Sequence, residues 1–189
     1  MISRQSSNQK GASLVEMPVA LSIFIIFLLF PLIDLATIAL RSATAYYAAY
    51  NAAHSAARAP TFLADDPATG KPSACEEAIR AAQATKAAAL AGTNFEDGDI
   101  KARILALPLN SDPTKPRKAD FIGADNKPLP PDPGVDQDYI YQVEVSIDAS
   151  IEPLFTLSTI FGQVPGLTIA IPLKVTSRQN VENPDGWVR

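Results

Sequence analysis

From Met17 to Ile33 the chain runs for seventeen residues without a charge, and that stretch limits the architecture more than any other feature. A helix rises 1.5 Å per residue, so these positions cover about 26 Å and extension to Leu40 gives about 36 Å, which brackets a hydrocarbon core of about 30 Å. No other stretch comes close, so a single membrane-crossing helix is expected. Arg4 and Lys10 precede it and an acidic body follows. That asymmetry predicts a single-pass inner-membrane protein with its N-terminus in the cytoplasm and its body in the periplasm or beyond.

An ordinary secretory signal peptide is the plain alternative, and Ala43-Thr44-Ala45 offers a small-x-small cleavage sequence. Three features oppose it. The apolar run exceeds the usual 7 to 15 residues, Asp34 and Arg41 intervene before that cut, and Glu16 stands at the entrance, where such a segment is uncharged. A carboxylate inside a membrane costs about 2.5 to 3.5 kcal/mol on insertion scales. Glu16 therefore requires either an interfacial position or a positive partner.

Lys10-Gly11, then Ala12-Ser13-Leu14-Val15-Glu16, then the apolar run, resembles the class III leader of type IV pilins and pseudopilins. The resemblance implies cleavage between Gly11 and Ala12 by a membrane-embedded prepilin peptidase on the cytoplasmic side, with Lys10 as part of the recognised leader. It also implies that Glu16, fifth in the mature chain, pairs with the new N-terminal ammonium of Ala12 in a neighbouring subunit. Pro18 lies nearer the helix start than the usual pilin proline. Pro18 and Pro31 are the two positions where a kink is expected.

The 189 residues suffice for one modest domain on one tether. The formal charge of −4 becomes −6 once Arg4 and Lys10 leave with the leader. Lys and Arg are scattered, which argues against a nucleic-acid partner and leaves membrane lipid as the expected surface. Cys75 is the one cysteine, so no internal disulfide or thiolate cluster can form. It reads as a small apolar residue at a helix start, with a link between subunits as the alternative.

Helix-forming residues continue past Asp34 without Gly or Pro until Pro60, so the rod is expected to reach about Arg58. Ala39, Ser42, Ala45, Ala49, Ala52, Ala53, Ala56 and Ala57 make a narrow packing face. Tyr46, Tyr47 and Tyr50 are expected at the headgroup level or in the core. The lone His54 is expected on the helix surface, without the companions a zinc site or catalytic triad needs. Ser73-Ala74-Cys75-Glu76 starts a second helix with a capping-box pattern, running to about Ala91 with Gly92 as its stop.

Residues 101 to 109 read as a strand, and the Pro- and Asp-rich stretch 110–138 as a long loop anchored by Phe121 and Ile122. Apolar and polar residues then alternate from Tyr139 to Glu152, the surest strand in the chain. A short apolar connection leads to a last strand with Ile169, Ile171, Leu173 and Val175 on one face, and Pro172 places it at an edge. The expected fold is α+β and pilin-like, with three or four antiparallel strands covered by two helices. Its parts are a leader over 1–11, a transmembrane helix over 12–40, a spine over 41–59 and a body over 60–189. The tail carries Trp187 for packing on the body or on a neighbouring subunit.

Length, the lack of a C-terminal cysteine pair, the SAARA end of the rod and the strand running into TSRQNVE look most like TadE-like minor pseudopilins of the tight-adherence (Tad, type IVc) pilus. That resemblance implies the Tad platform proteins, a short Flp-type major pilin and a TadF-like sister as partners, in assembly, adhesion or secretion. A type II secretion pseudopilin is the nearest rival. A single-pass protein with a periplasmic binding module is another. Enzyme motifs are missing from the sequence, and no cofactor is expected. Glu96, Asp97 and Asp99 around Gly98, and Asp132, Asp136 and Asp138, suggest calcium but lack the spacing of a calcium loop.

Overall fold

The structure, a computed structural model, describes residues 9–62, 70–89, 91–108, 120–122, 139–155, 162–166 and 168–182. A rod about 70 Å long leads into the body. It comprises helix α1 (Gln9–Phe24), a π-helical turn (Ile25–Leu29) and helix α2 (Phe30–Ala57). Pro31 is the second residue of α2, directly after the wide turn. A proline has no N–H to offer the turn before it and its ring crowds the carbonyl four residues back, and a wider turn accommodates both defects. Pro18, by contrast, sits inside α1, which keeps its α-helical form there, and the Ser22 hydroxyl donates to the Pro18 carbonyl at 2.7 Å.

Helix α3 covers Ala74–Ala88, and the Ser73 hydroxyl caps its start by accepting the Glu76 N–H at 3.3 Å. It stops three residues before the expected Ala91. Ala89 is already extended. In the last turn the Lys86 ammonium donates to the Phe95 carbonyl and lies 5.1 Å from the Phe95 ring centre, a cationic finish suited to a helix C-terminus.

Five strands form one antiparallel sheet: β1 (Thr93–Asn94), β2 (Ile100–Pro108), β3 (Asp120–Ile122), β4 (Tyr139–Ile151) and β5 (Ile171–Asn180). The alternating segment became the central strand. Its one edge pairs with β2 over Tyr139–Ile147 and with β1 at Ser150 and Ile151, while its other edge pairs with β5 over Gln142–Ile151. Pro172 lies in β5, which among the described residues pairs with β4 alone. Two short strands were not expected. One is β1, and the other is β3, which lies within 110–138 and aligns Phe121 with Leu105 of β2. The described part of that stretch is therefore sheet rather than loop.

The core follows from the period of two in β4. Tyr141, Val143, Val145, Ile147, Ala149 and Ile151 are buried on the inner face, against a cluster that includes Ala45, Ala48, Ala49, Ala52, Ala53, Ala56 and Ala57 of α2. Alanine lets the helix axis approach the sheet closely, so β-branched residues on the strand fill the space that larger helix residues would need. The packing face lies at a different angle around the helix than expected: Ala39 is exposed and Ser42 half-buried, while Ala48, absent from the expected set, is fully buried. On its outer face β4 is polar from Gln142 to Asp148. Glu144 meets Arg178 directly opposite at 2.7 Å, and Asp148 lies 3.7 Å from both Lys101 and Lys174.

Candidate functional site

The Gly11–Ala12 bond lies within α1. Lys10, Gly11, Ala12 and Glu16 share that one helix with Pro18, whereas Pro31 belongs to α2. The side chains of residues 9–16 lie outside the described part. From Met17 on, the side chains are open on every side: Met17 is 74%, Leu21 60%, Leu28 56% and Leu32 62% exposed. Large apolar groups exposed around a whole helix mark a surface that meets a membrane or other protein. This is the one helix among the described residues long and apolar enough to cross a membrane, with a mean hydropathy of 2.6 over its most apolar window.

Where the rod meets the body, two charged side chains are buried. Asp34 is fully enclosed, and its Oδ1 accepts the backbone N–H groups of Leu154 at 2.8 Å and Phe155 at 2.9 Å. One turn earlier, Phe30 stacks on Phe155 with ring centres 5.0 Å apart. Two turns after Asp34, the buried Arg41 donates from Nη1 to the Glu152 carbonyl, while its own carbonyl accepts the Thr93 hydroxyl at 3.3 Å. Gly92 lies flat on the guanidinium, and its carbonyl accepts the Glu152 N–H at 2.9 Å. Asn94 Nδ2 completes the contact by donating to Glu152 Oε1 at 2.8 Å.

This clasp fastens the rod to the end of β4 and the segment that follows. Positions 34 and 41 are two turns apart and so share a face. They continue the stripe of Ala45, Ala48, Ala52 and Ala56, which is the signal that identifies them. The sequence expectation had used both residues only as charges beyond the apolar run. A carboxylate and a guanidinium on the stripe that becomes the core must find partners there, because an unpaired buried charge is too costly to keep.

The remaining candidates are structural or solvent-facing. Tyr46, Tyr47 and Tyr50 are exposed, so they are not in the core, and Tyr50 stacks with the half-buried His54 at 6.2 Å. The Asp99 carboxylate accepts the Glu96 N–H at 2.8 Å and Asp97 accepts Gln83 Nε2 at 2.9 Å, so these acids cap and brace their own turn. Among the described residues no three metal-ligating side chains converge. Asp132, Asp136, Asp138 and Trp187 lie outside the described residues.

Cys75 is half-buried against the core, and burial pushes its thiol above the ordinary cysteine range. The thiolate is the reactive form, so alkylation by iodoacetamide at pH 8 should be severalfold slower in the folded chain than after denaturation in urea. Equal rates in the two states would show an open thiol available for a link between subunits.

No protein-family model matches the chain, and no match is found among curated proteins or solved structures. The chain is an α+β body on one long apolar helix.

Proposed function

We propose that the chain is a minor pilin or pseudopilin of a Tad-type (type IVc) filament, made as a precursor and cut between Gly11 and Ala12 by a prepilin peptidase. What supports this reading is the rod itself. It bears the leader-like sequence at its start, exposes apolar side chains over the thickness of a bilayer, and then serves as the spine of the body. Glu16 stands eighteen residues before Asp34, about 27 Å along the axis, so the two acids bracket a hydrocarbon core of about 30 Å. On this reading the acid at the inner end pairs with the ammonium of a neighbour's Ala12 as subunits stack. On this reading the Tad platform proteins, the Flp-type major pilin and a TadF-like sister subunit are its partners.

The test is co-expression with the cognate prepilin peptidase followed by intact-mass measurement. A mature chain beginning at Ala12 is expected. An uncut chain, or one beginning at Tyr46, would sink the reading. Glu16→Ala should leave cleavage largely intact while reducing filament assembly by an order of magnitude or more, as removal of one member of a buried charge pair strands the other. Normal piliation in that variant would contradict the pairing.

A further inference from the structure

The reading that the rod crosses a membrane carries a consequence for the segment between β4 and β5. Residues 153–173 contain no charged side chain, and Glu152 and Lys174 flank them. At the chain's 19% charged content, about four charges would be expected in twenty-one residues. In its described part the exposed side chains are apolar apart from Gln163. Leu154 is 46%, Val164 37% and Ile169 42% exposed.

Its height along the rod is set by direct contacts. Phe155 stacks on Phe30, the Leu154 and Phe155 amides bind Asp34, and Gly166 packs so closely on Ile38 that an added Cβ would lie 3.2 Å from its Cδ1. With Glu16 at the inner boundary, Phe30 lies about 21 Å and Ile38 about 33 Å along the axis, which spans the outer edge of a core of about 30 Å. The described part of the segment therefore flanks the helix where the acyl chains meet the headgroups.

Its backbone is suited to that place, since a polar main-chain group with no partner is costly where water is scarce. The Leu154 and Phe155 N–H groups are taken by the Asp34 carboxylate. The Val164 N–H donates to the Thr168 hydroxyl at 2.7 Å, Gly166 N–H to the Ile169 carbonyl at 2.9 Å, and Thr168 N–H to the Val164 carbonyl at 2.9 Å. Thr168 is itself buried within the turn.

We propose that this β4–β5 connection is a second membrane contact, through which Leu154, Val164 and Ile169 seat the body on the phospholipids of the outer leaflet beside its own helix. The contact is interfacial and shallow. It fixes the tilt of the body over the bilayer, with the Asp34–Arg41 clasp as its rigid support.

The test uses the full chain reconstituted alone into phosphatidylethanolamine–phosphatidylglycerol vesicles, so that no partner protein is present. In a Cys75→Ser background, single cysteines at the exposed positions Leu154, Val164 and Ile169 carry an environment-sensitive fluorophore. Leu28→Cys reports the span and Glu182→Cys reports water. The three loop probes should show blue-shifted emission, severalfold weaker iodide quenching than the probe at 182, and strong quenching by lipids with a nitroxide high on the acyl chain. Loop probes quenched by iodide while the probe at 28 is quenched by lipid would overturn the contact and leave the span standing. A probe at 28 quenched by iodide would overturn the span reading and the contact with it. Loop probes shielded from both quenchers would mean that a second copy of the chain covers the segment, and would overturn the lipid assignment.

Discussion

Replacing Asp34 by alanine is expected to cost the body about 4 kcal/mol, because two hydrogen bonds to a buried carboxylate disappear together and each such bond is worth about 1.5 to 3 kcal/mol. The Leu154 and Phe155 amides would lose their acceptor while still packed against the rod. For a chain of this size the loss corresponds to roughly 10 °C in Tm. It should be read by circular dichroism on the full chain in nanodiscs. Asp34→Asn keeps a carbonyl oxygen for the same amides, so it should lose less than half as much. Insertion should respond in the opposite sense. Removing an acid from near the end of an apolar helix favours entry into the membrane by up to about 2.5 to 3.5 kcal/mol. The alanine variant should therefore insert at least as well as the parent while its body melts earlier. An unchanged melting temperature would show that Asp34 does not hold the segment.

Gly92→Ala is expected to destabilise by about 3 kcal/mol, from two sources that can be separated. Gly92 has φ of +105°, which costs a residue with a Cβ about 1 to 3 kcal/mol. Its Cβ would also stand 2.3 Å from Arg41 Cζ and 2.6 Å from Nε. An exposed arginine would swing aside at small cost, but this one is buried and tied to the Glu152 carbonyl. Urea unfolding of the single variants and of Gly92→Ala combined with Arg41→Ala resolves the two sources. Truncating Arg41 removes the overlap and leaves the backbone strain, so the double variant should lose at least about 1 kcal/mol less than the two singles added. Strict additivity would exclude the overlap as a cause.

The readable parts of this sequence were those whose signal is local or periodic. β4 announced itself because one face is buried and the other wet along its whole length, so polarity alternates at every step from Tyr139. The end of the rod was legible because nothing stops a helix of alanines before Pro60, and the start of α3 because Ser73 is a helix cap followed by acids. β3 was hidden because three residues are too few to show a period and the stretch around them is dense in Pro, Asp and Lys. The end of α3 was misplaced because Gly92 looked like a helix stop, whereas its missing side chain leaves room for Arg41. Ala39 and Ser42 match the packing face in composition but each lies one helix step beyond Ile38 and Arg41, and so turns away from the side that meets the body.

The clasp was illegible for a different reason. Asp34 and Arg41 bind main-chain groups of residues 152 to 155, more than a hundred positions away. A backbone amide leaves no mark in the sequence that could be matched to its carboxylate. Glu16 presents the reverse situation, since its pattern is legible while its proposed partner belongs to another molecule.

The π-helical turn at Ile25–Leu29 has a geometric consequence for that pairing. Such a turn accommodates about one extra residue, so everything before it is rotated against everything after it by about one residue step, on the order of 100°. A helical wheel drawn straight through the rod thus assigns Glu16 to the wrong compass bearing relative to the sheet. On the proposed pairing, the azimuth at which a neighbouring subunit approaches Glu16 is set by this phase shift, independently of any residue the two subunits would touch.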